Sequence, residues 1–157
     1  MLRSEDFKEL AILFHQSIRR ISAKDYSDEQ VKAWAPDERD LKEWALSFNN
    51  KLVFIAEKDH KIAGFGELEI DGHIDRFYVH PDYAGKGVGK FIYQGLEVEA
   101  KKMNISSLFV EASITAKPFF EKMGFAVILE QTVYRKEVAF INYKMTKIFQ
   151  IPATDTP

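Results

Sequence analysis

The stretch that decides the fold runs from position 79 to position 90 and reads V-H-P-D-Y-A-G-K-G-V-G-K. A strand-like segment, His73–His80, leads into it, and a strong helix-forming segment follows. Gly85, Gly87 and Gly89 leave the backbone N–H groups of the turn unshielded. At a helix N-terminus such groups, together with the helix dipole, attract phosphate. The turn therefore predicts a site for a phosphorylated ligand, and a glycine-rich connector without a ligand is the alternative.

Two common phosphate-binding motifs fit this turn poorly. A P-loop needs Ser or Thr after Gly-Lys to hold magnesium, but Phe91 follows Gly89 and Lys90. The dinucleotide fingerprint needs G-x-G-x-x-G, and the spacing here is one residue shorter. Glu111, roughly twenty residues further on, does stand where that fingerprint expects an acid. A nucleotide-binding α/β domain therefore remains a weaker alternative.

Composition sets the broad class of the protein. The chain has 157 residues, of which 46% are hydrophobic, and this predicts one domain over residues 1–148. Residues 149–157 are polar and flanked by proline, and we expect a flexible tail there. The net charge of −2 with interspersed signs gives no reason to expect a nucleic-acid partner.

Several other classes are excluded or disfavoured by residue type. Without cysteine, the chain has no disulfide, thiolate nucleophile or thiolate metal site. The histidines lack metal-ligand spacing, so we expect no metal. No apolar run approaches the ~20 residues that span a bilayer, and the charged N-terminus does not resemble a signal peptide. These features predict a cytoplasmic protein with no membrane partner.

Hydrophobic periodicity and turn residues predict the order of elements. Helices are expected at about 4–21, 28–35, 37–48, 90–103 and 115–123, and strands at about 51–57, 62–70, 73–80, 105–112, 125–134 and 138–148. This order favours an α/β (α+β) fold with a central mixed sheet and helices on both faces. The strands on either side of the crossover helix should run parallel, and a splay between them would open a cleft.

Two passages carry a resemblance to a known family. Residues 74–89, I-D-R-F-Y-V-H-P-D-Y-A-G-K-G-V-G, resemble the acetyl-CoA-binding motif of the GNAT superfamily of N-acyltransferases. Residues 113–125, S-I-T-A-K-P-F-F-E-K-M-G-F, are similar to that family's second motif. The resemblance implies a mostly antiparallel sheet with a V-shaped splay between the fourth and fifth family strands. It also implies acetyl-CoA as co-substrate and an amine, on a small molecule or a peptide, as acceptor.

The resemblance implies specific contacts to the cofactor. The family turn, Q/R-x-x-G-x-G/A, begins here at Ala84, so its usual Gln or Arg is absent, while Gly87 and Gly89 occupy its glycine positions. Amides of the turn should hold the pyrophosphate, and the strand before it should pair with pantetheine. The implied cofactor contacts are Phe77, Tyr78, Val79, Gly85, Lys86, Gly87, Val88, Gly89, Lys90, Ser113 and Phe120.

The family's general acid is missing. Phe120 stands where many members have a Tyr that protonates the leaving thiolate, and Phe has no proton to give. General acid catalysis contributes about 10²- to 10⁴-fold, so its loss slows the reaction without forbidding it. Tyr78, Tyr134 and Tyr143 are the alternatives that the sequence offers.

A base is expected near the start of the strand at 73–80. By resemblance it is His73 or Asp75, and the strand period of two places both on one face together with Phe77. The intrinsic pKa of His, near 6.5, suits a base at neutral pH. Glu67 and Glu69, which share a face of the preceding strand, are the third choices, and these acids together favour a cationic substrate.

The sequence thus predicts transfer of an acetyl group from acetyl-CoA to a primary amine. Attack should be direct, in a ternary complex, because no cysteine can form an acyl intermediate. By resemblance, Tyr26, Trp34 and Trp44 wall the acceptor pocket, although plain core positions are the alternative. The other class of function is a non-catalytic acyl-CoA-binding or regulatory module, suggested by Ala84 and Phe120. A polyamine, an aminoglycoside-like drug, an amino acid and a protein lysine stay open as acceptors, as does a homodimer.

Overall fold

A computed structural model describes residues 2–149 of the chain. Six strands form one sheet in the order β1-β2-β3-β4-β6-β5. The helices are α1 (Ser4–Arg20), α2 (Asp28–Trp34), α3 (Leu41–Leu46), α4 (Val88–Lys102) and α5 (Lys117–Lys122). The strands are β1 (Leu52–Lys58), β2 (Lys61–Leu68), β3 (His73–Val79), β4 (Ser107–Ser113), β5 (Ala126–Arg135) and β6 (Val138–Ile148). Short 3-10 turns lie at Ser22–Lys24 and Pro81–Tyr83.

The pairing of the strands confirms the predicted fold class. All neighbours are antiparallel except β3 and β4, which run parallel across the α4 crossover. Only two register pairs join β3 to β4, His73 with Phe109 and Ile74 with Val110. Beyond Ile74 the two strands separate, so the sheet has the V-shaped splay that the resemblance implied.

One face of the sheet is packed tightly against α4. Gly64 and Gly66 lie beneath this helix, and a Cβ at Gly66 would stand 2.9 Å from atoms of both Ile92 and Leu96. The absence of side chains at these two positions lets the helix approach the sheet closely. Buried apolar side chains from α4, α5, β4 and β6 complete this core.

The opposite face carries α1, α2 and α3 over a core rich in aromatic rings. Phe14 contacts both Trp44 and Tyr78, with ring centroids 5.3 and 4.8 Å apart. Tyr26 and Trp34, whose centroids are 5.2 Å apart, extend this core toward β6. Such offset and edge-on ring contacts add to the apolar burial that holds the helices on the sheet.

Two predicted boundaries were wrong. The helix expected from Asp37 to Phe48 begins at Leu41, because the Asp40 carboxylate accepts hydrogen bonds from the amides of Lys42 and Glu43 and so caps it. Phe149, placed in the tail by the sequence, is buried, and its amide donates to the Ser106 carbonyl at 2.9 Å. The rest of the predicted tail, 150–157, lies outside the described residues.

A bulge in β3 overturns the expected facing of its side chains. The register between β2 and β3 shifts between Gly66 and Leu68, so β3 contributes one extra residue there. Phe77 therefore packs on the α4 face, against Phe119 and Phe120. His73 and Asp75 share a face as predicted, but Phe77 does not lie on it.

Candidate active site

A cavity of about 380 Å³ opens on the face that carries α1, α2 and α3. Side chains from these helices, from the separated parts of β3 and β4, and from the end of β5 line it. Tyr26, Trp34 and Trp44 are among them, so all three residues predicted to wall a pocket do so while also belonging to the core. The cavity therefore lies at the splay of the sheet.

The glycine turn lies at the other end of the splay, before α4. Gly85 and Gly87 adopt positive φ angles of 74° and 84°, which residues with side chains rarely adopt. Nothing lies within 4 Å of a Cβ placed on either, so the turn is open to solvent. Gly87 precedes α4 without a side-chain cap, which leaves the first amides of the helix for a ligand. The turn has the geometry of an anion cradle.

Two lysines and an open strand edge flank this cradle. Lys86 and Lys90 are exposed, and Lys86 lies 5.9 Å from the ring of Tyr83. Along β3, residues 77–79 pair with β2 on one side, while their other side faces the splay without a register partner in β4. An extended ligand could form hydrogen bonds to that free edge as an added strand does.

The second motif forms the far wall of the splay. The Ser113 hydroxyl accepts a hydrogen bond from the Ala116 amide at 3.0 Å, at the end of β4. Phe120 is 1% exposed and packs against Phe77, Phe119 and Phe125, while its ring still contributes to the cavity lining. Phe120 therefore has a packing role at the floor of the cavity.

His73 lies between two carboxylates. Its Nδ1 is 2.6 Å from a Glu69 oxygen, and its Nε2 is 2.9 Å from a Glu111 oxygen. The Phe109 ring stacks on the imidazole at 4.9 Å. Burial disfavours the charged imidazole, but the two carboxylates outweigh it and raise the pKa of His73 above its usual value. The two carboxylates thus favour the protonated imidazole, and a histidine so placed can carry a proton.

Asp75 joins this group from the cavity side. One oxygen of Asp75, one of Glu69 and a nitrogen of His73 all lie within 4.8 Å of one another. Since both imidazole nitrogens already face carboxylates, the arrangement is suited to exchanging protons between these groups. The structure thus brings together the three residues predicted for proton transfer.

An ion-pair network lies beside this cluster. The fully buried carboxylate of Glu67 contacts Arg76 at 2.6 Å and Lys51 at 3.2 Å, and Lys51 also hydrogen-bonds to Asp75. Burial opposes the charge on Lys51, but Asp75 and Glu67 more than offset it and raise its pKa. The positive charges of Arg76 and Lys51 therefore balance the charge of Glu67, which does not present negative charge to the cavity.

The tyrosines considered as proton donors lie in different environments. Burial raises the pKa of Tyr78 to about 12, so its hydroxyl keeps its proton at neutral pH. Tyr134 is 70% exposed and does not line the cavity, and Tyr143 lies on the α5 side, with its ring 4.8 Å from the Lys117 ammonium. Tyr26 does line it, and its hydroxyl accepts a hydrogen bond from the Ile114 amide at 2.8 Å.

Three charged residues line the cavity that the sequence analysis did not predict as site residues. Glu111 lines the cavity and holds His73, although its position had suggested only the acid of a dinucleotide fingerprint. Arg39 and Arg135 reach the cavity from the segment before α3 and from the end of β5. Each comes from an element distant in sequence from the glycine turn, and only the tertiary fold brings them together.

An open glycine turn at a helix N-terminus, a strand edge left open by a splay and a cavity beside the His73 cluster define the site. Such a site can hold an extended phosphorylated cofactor and a second substrate at the same time. A family model described as "Acetyltransferase (GNAT) domain" matches residues 22–147. The chain belongs to this family of acetyltransferases.

Individual relatives agree with this assignment. The chain is 32% identical to the uncharacterized N-acetyltransferase YafP of Escherichia coli K12, over 89% of this chain and 88% of YafP. A crystal structure of a GCN5-related N-acetyltransferase from Rhodopseudomonas palustris has a TM-score of 0.89 and 36% identity, with 94% and 92% of the two chains covered. The PaiA N-acetyltransferase of Thermoplasma acidophilum, solved with coenzyme A, shares the fold at a TM-score of 0.73 and 24% identity, over 94% and 96% of the chains.

Among residues 2–149, none of the helices combines the length and the hydropathy that a membrane crossing requires.

Proposed function

We propose that this protein transfers the acetyl group of acetyl-CoA to a primary amine, by direct attack in a ternary complex. The observation that carries the proposal is the continuity of the glycine cradle, the open edge of β3 and the cavity across the splay. Family membership and relatives solved with coenzyme A or acetyl-CoA support acetyl-CoA as the co-substrate.

The cofactor is proposed to lie along the splay from turn to cavity. Its pyrophosphate binds the amides of residues 85–90, with charge from Lys86 and Lys90. Its pantetheine arm pairs with the free edge of Phe77, Tyr78 and Val79 and passes the Ser113 hydroxyl. The thioester then reaches the cavity beside Phe120, where a β3 amide polarises its carbonyl.

The amine attacks the thioester carbonyl carbon, a C–N bond forms, and the C–S bond breaks to release the CoA thiolate. Before or during attack the ammonium must lose a proton. Asp75 and Glu111 line the cavity and either can accept it, directly or through water. Neutral His73 takes the proton from Glu111 and is supported by Glu69 on its other nitrogen. His73 is thus the proposed base, with Asp75 and Glu69 as its partners.

The leaving thiolate needs no dedicated acid on this route. Phe120 offers no proton, but a CoA thiolate is a tolerable leaving group near neutral pH, since free thiols ionise at a pKa of about 8.5. Tyr26 and Tyr78 are the tyrosines whose hydroxyls, among those lining the cavity, could donate one. The expected cost relative to an enzyme with an aligned acid is about 10²-fold in rate.

Calorimetric titration with acetyl-CoA, with CoA and NAD as controls, tests the cofactor half of the proposal. Micromolar binding of acetyl-CoA and CoA without binding of NAD is the expected result. Release of free thiol in the presence of an amine panel, above the rate in solution, tests the transfer half. Tight NAD binding without CoA binding would instead support the nucleotide-binding alternative.

A non-catalytic acyl-CoA-binding module is the second candidate, favoured by Ala84 in the turn and by the packed Phe120. It predicts acetyl-CoA binding with no amine turnover above solution aminolysis. The ionic cluster around His73, which such a module does not need, argues for the enzyme.

A further inference from the structure

We infer that the acceptor amine also carries an anionic group, a carboxylate or a phosphate, which Arg39 and Arg135 bind in the cavity beside Arg76. The inference rests on the proposed acetyl transfer and adds to it the chemical class of the acceptor. It reverses the expectation from sequence that the acids near β2 and β3 select a cationic substrate.

The charges that line the cavity do not balance. Four cations line it, namely Arg39, Lys51, Arg76 and Arg135, against the two carboxylates of Asp75 and Glu111. Lys51 and Arg76 are bound to the buried carboxylate of Glu67, Lys51 also to Asp75, and Glu111 to His73. Among residues 2–149, neither Arg39 nor Arg135 has a carboxylate within ion-pair distance. The uncompensated charge in the cavity is therefore positive and comes from Arg39 and Arg135.

The three guanidinium groups converge on one place. All three line the same cavity, Arg39 and Arg76 over the Trp44 ring and Arg135 near the Trp34 ring, whose centroid lies 6.4 Å from that of Tyr78. Burial and then the nearby charge of Arg76 lower the pKa of Arg39, as expected for a cation held beside another cation. Glu43 acts in the opposite sense, but more weakly. Since Tyr78 keeps its proton, it does not neutralise the arginines.

Aromatic faces hold these arginines in position. The guanidinium of Arg39 lies 4.7 Å from the ring centroid of Phe14 and 4.6 Å from that of Trp44, and the guanidinium of Arg76 lies 4.3 Å from Trp44. Arg135 lies 5.9 Å from the ring of Trp34. Stacking restricts the planar groups. The N–H edge of Arg76 is occupied by Glu67 and the Ser47 hydroxyl, whereas the edges of Arg39 and Arg135 can bind an anion in the way that arginine recognises carboxylate and phosphate.

An unsatisfied donor lies in the same wall. Trp34 is 9% exposed, and within the described part of the chain its indole N–H meets no acceptor at hydrogen-bonding geometry, although it lies near the Tyr78 hydroxyl. A buried donor without a partner costs free energy that a ligand oxygen can recover. The Asn142 side-chain oxygen, also buried, unpartnered and lining the cavity, offers the complementary acceptor for an amine N–H.

Transfer rates to matched acceptors test the inference. The probes are a straight-chain ω-amino acid, the corresponding aminoalkyl phosphonate, the primary amide of the amino acid and the diamine of equal length. The expected kcat/KM for at least one anionic probe exceeds that for amide and diamine by roughly tenfold or more, the size of one charge-assisted hydrogen bond. The ratio between the two anionic probes distinguishes a carboxylate from a phosphate as the natural group.

Variants locate the effect. Arg135→Gln changes an exposed side chain, and Arg39→Gln a half-buried one, so neither removes an ion pair of the fold. Each should raise KM for the anionic probe by about tenfold, leave the amide unchanged and leave acetyl-CoA binding intact. Lys32→Gln, which removes an exposed charge from α2 outside the cavity, is the matched control and should change none of these values.

Each outcome bears on a different claim. Equal kcat/KM for charged and neutral probes, or arginine variants that alter all acceptors alike, overturns the anionic acceptor and leaves acetyl transfer standing. Failure of both anionic probes with enzyme that binds acetyl-CoA also overturns it. Absence of acetyl-CoA binding together with absence of transfer to every probe overturns the proposed function itself.

Discussion

The two faces of the sheet differ in how they use their space. Under α4, glycines at 64 and 66 let the helix pack closely on the sheet, and the uncapped amides lie at the N-terminus of the helix. Under α1, α2 and α3, aromatic rings enclose a charged cavity of about 380 Å³. In the proposed function, the packed α4 face fixes the position of the glycine turn, and the face that carries the cavity receives the second substrate.

The largest expected effect is the loss of acetyl-CoA affinity when the glycine turn alone is changed. Gly87→Glu places a carboxylate in the open cradle, at a φ of 84°, and should weaken acetyl-CoA binding by at least about 10³-fold, because like charges then meet. Titration calorimetry measures this loss. Gly87→Asn is the matched control, since Asn tolerates positive φ and adds no charge. Unchanged affinity in the Glu variant would remove the argument for a phosphate cradle.

The next largest effect is on kcat, when His73 on the cavity side of the sheet is replaced. His73→Gln should lower kcat by roughly 10²-fold while acetyl-CoA affinity stays the same, because the proton carrier is lost and the cradle is untouched. In the wild type, the raised pKa of His73 keeps it protonated at low pH. The rate should therefore rise with pH through an apparent pKa above 6.5, and this limb should disappear in the variant. A persistent limb would assign the titration to another group.

A smaller effect is expected on the free energy of unfolding, and it compares how tightly the two faces of the sheet are packed. Gly66→Ala adds one carbon under α4, 2.9 Å from two side chains, and should lower the free energy of unfolding by about 1–3 kcal/mol. Val133→Ile adds one carbon to the cavity wall and should cost less than about 1 kcal/mol. Chemical denaturation measures both. Equal losses would show that the cavity wall is as tightly packed as the α4 interface.

The smallest expected effect is on the pH dependence of thermal stability. The pKa of His73 is raised in the folded state, so its ion pairs stabilise the fold fully below the unfolded pKa of about 6.5. That stabilisation is lost as pH rises through the folded pKa. The difference in Tm between wild type and His73→Gln should therefore be larger at pH 6 than at pH 9. A difference that grows with pH would contradict the raised pKa.

The sequence predicted what depends on local pattern. The order of elements, the glycine turn and the parallel crossover follow from periodicity and turn residues, and the structure has all three. The bulge in β3 could not be read from alternation, because an extra residue in a strand leaves no periodic signal. For the same reason the expected face of Phe77 was wrong.

The chemistry of the cavity could be predicted from the sequence less well than the fold could. The acids of β2 suggested a cationic substrate until the structure placed Arg76 and Lys51 against Glu67. Arg39 and Arg135 are separated by almost a hundred residues, and no local pattern connects them. Which charges cancel is a property of tertiary contacts, and composition alone does not reveal it.

The two register pairs between β3 and β4 have a consequence for folding cooperativity. In the described part of the chain, they are the register pairs that join the strands β1-β2-β3 to the strands β4-β6-β5. An extended ligand paired with β3 in the splay would span both halves, so its binding free energy would couple their opening. Amide hydrogen exchange should then show the two halves opening separately in the free protein and together when the splay is occupied.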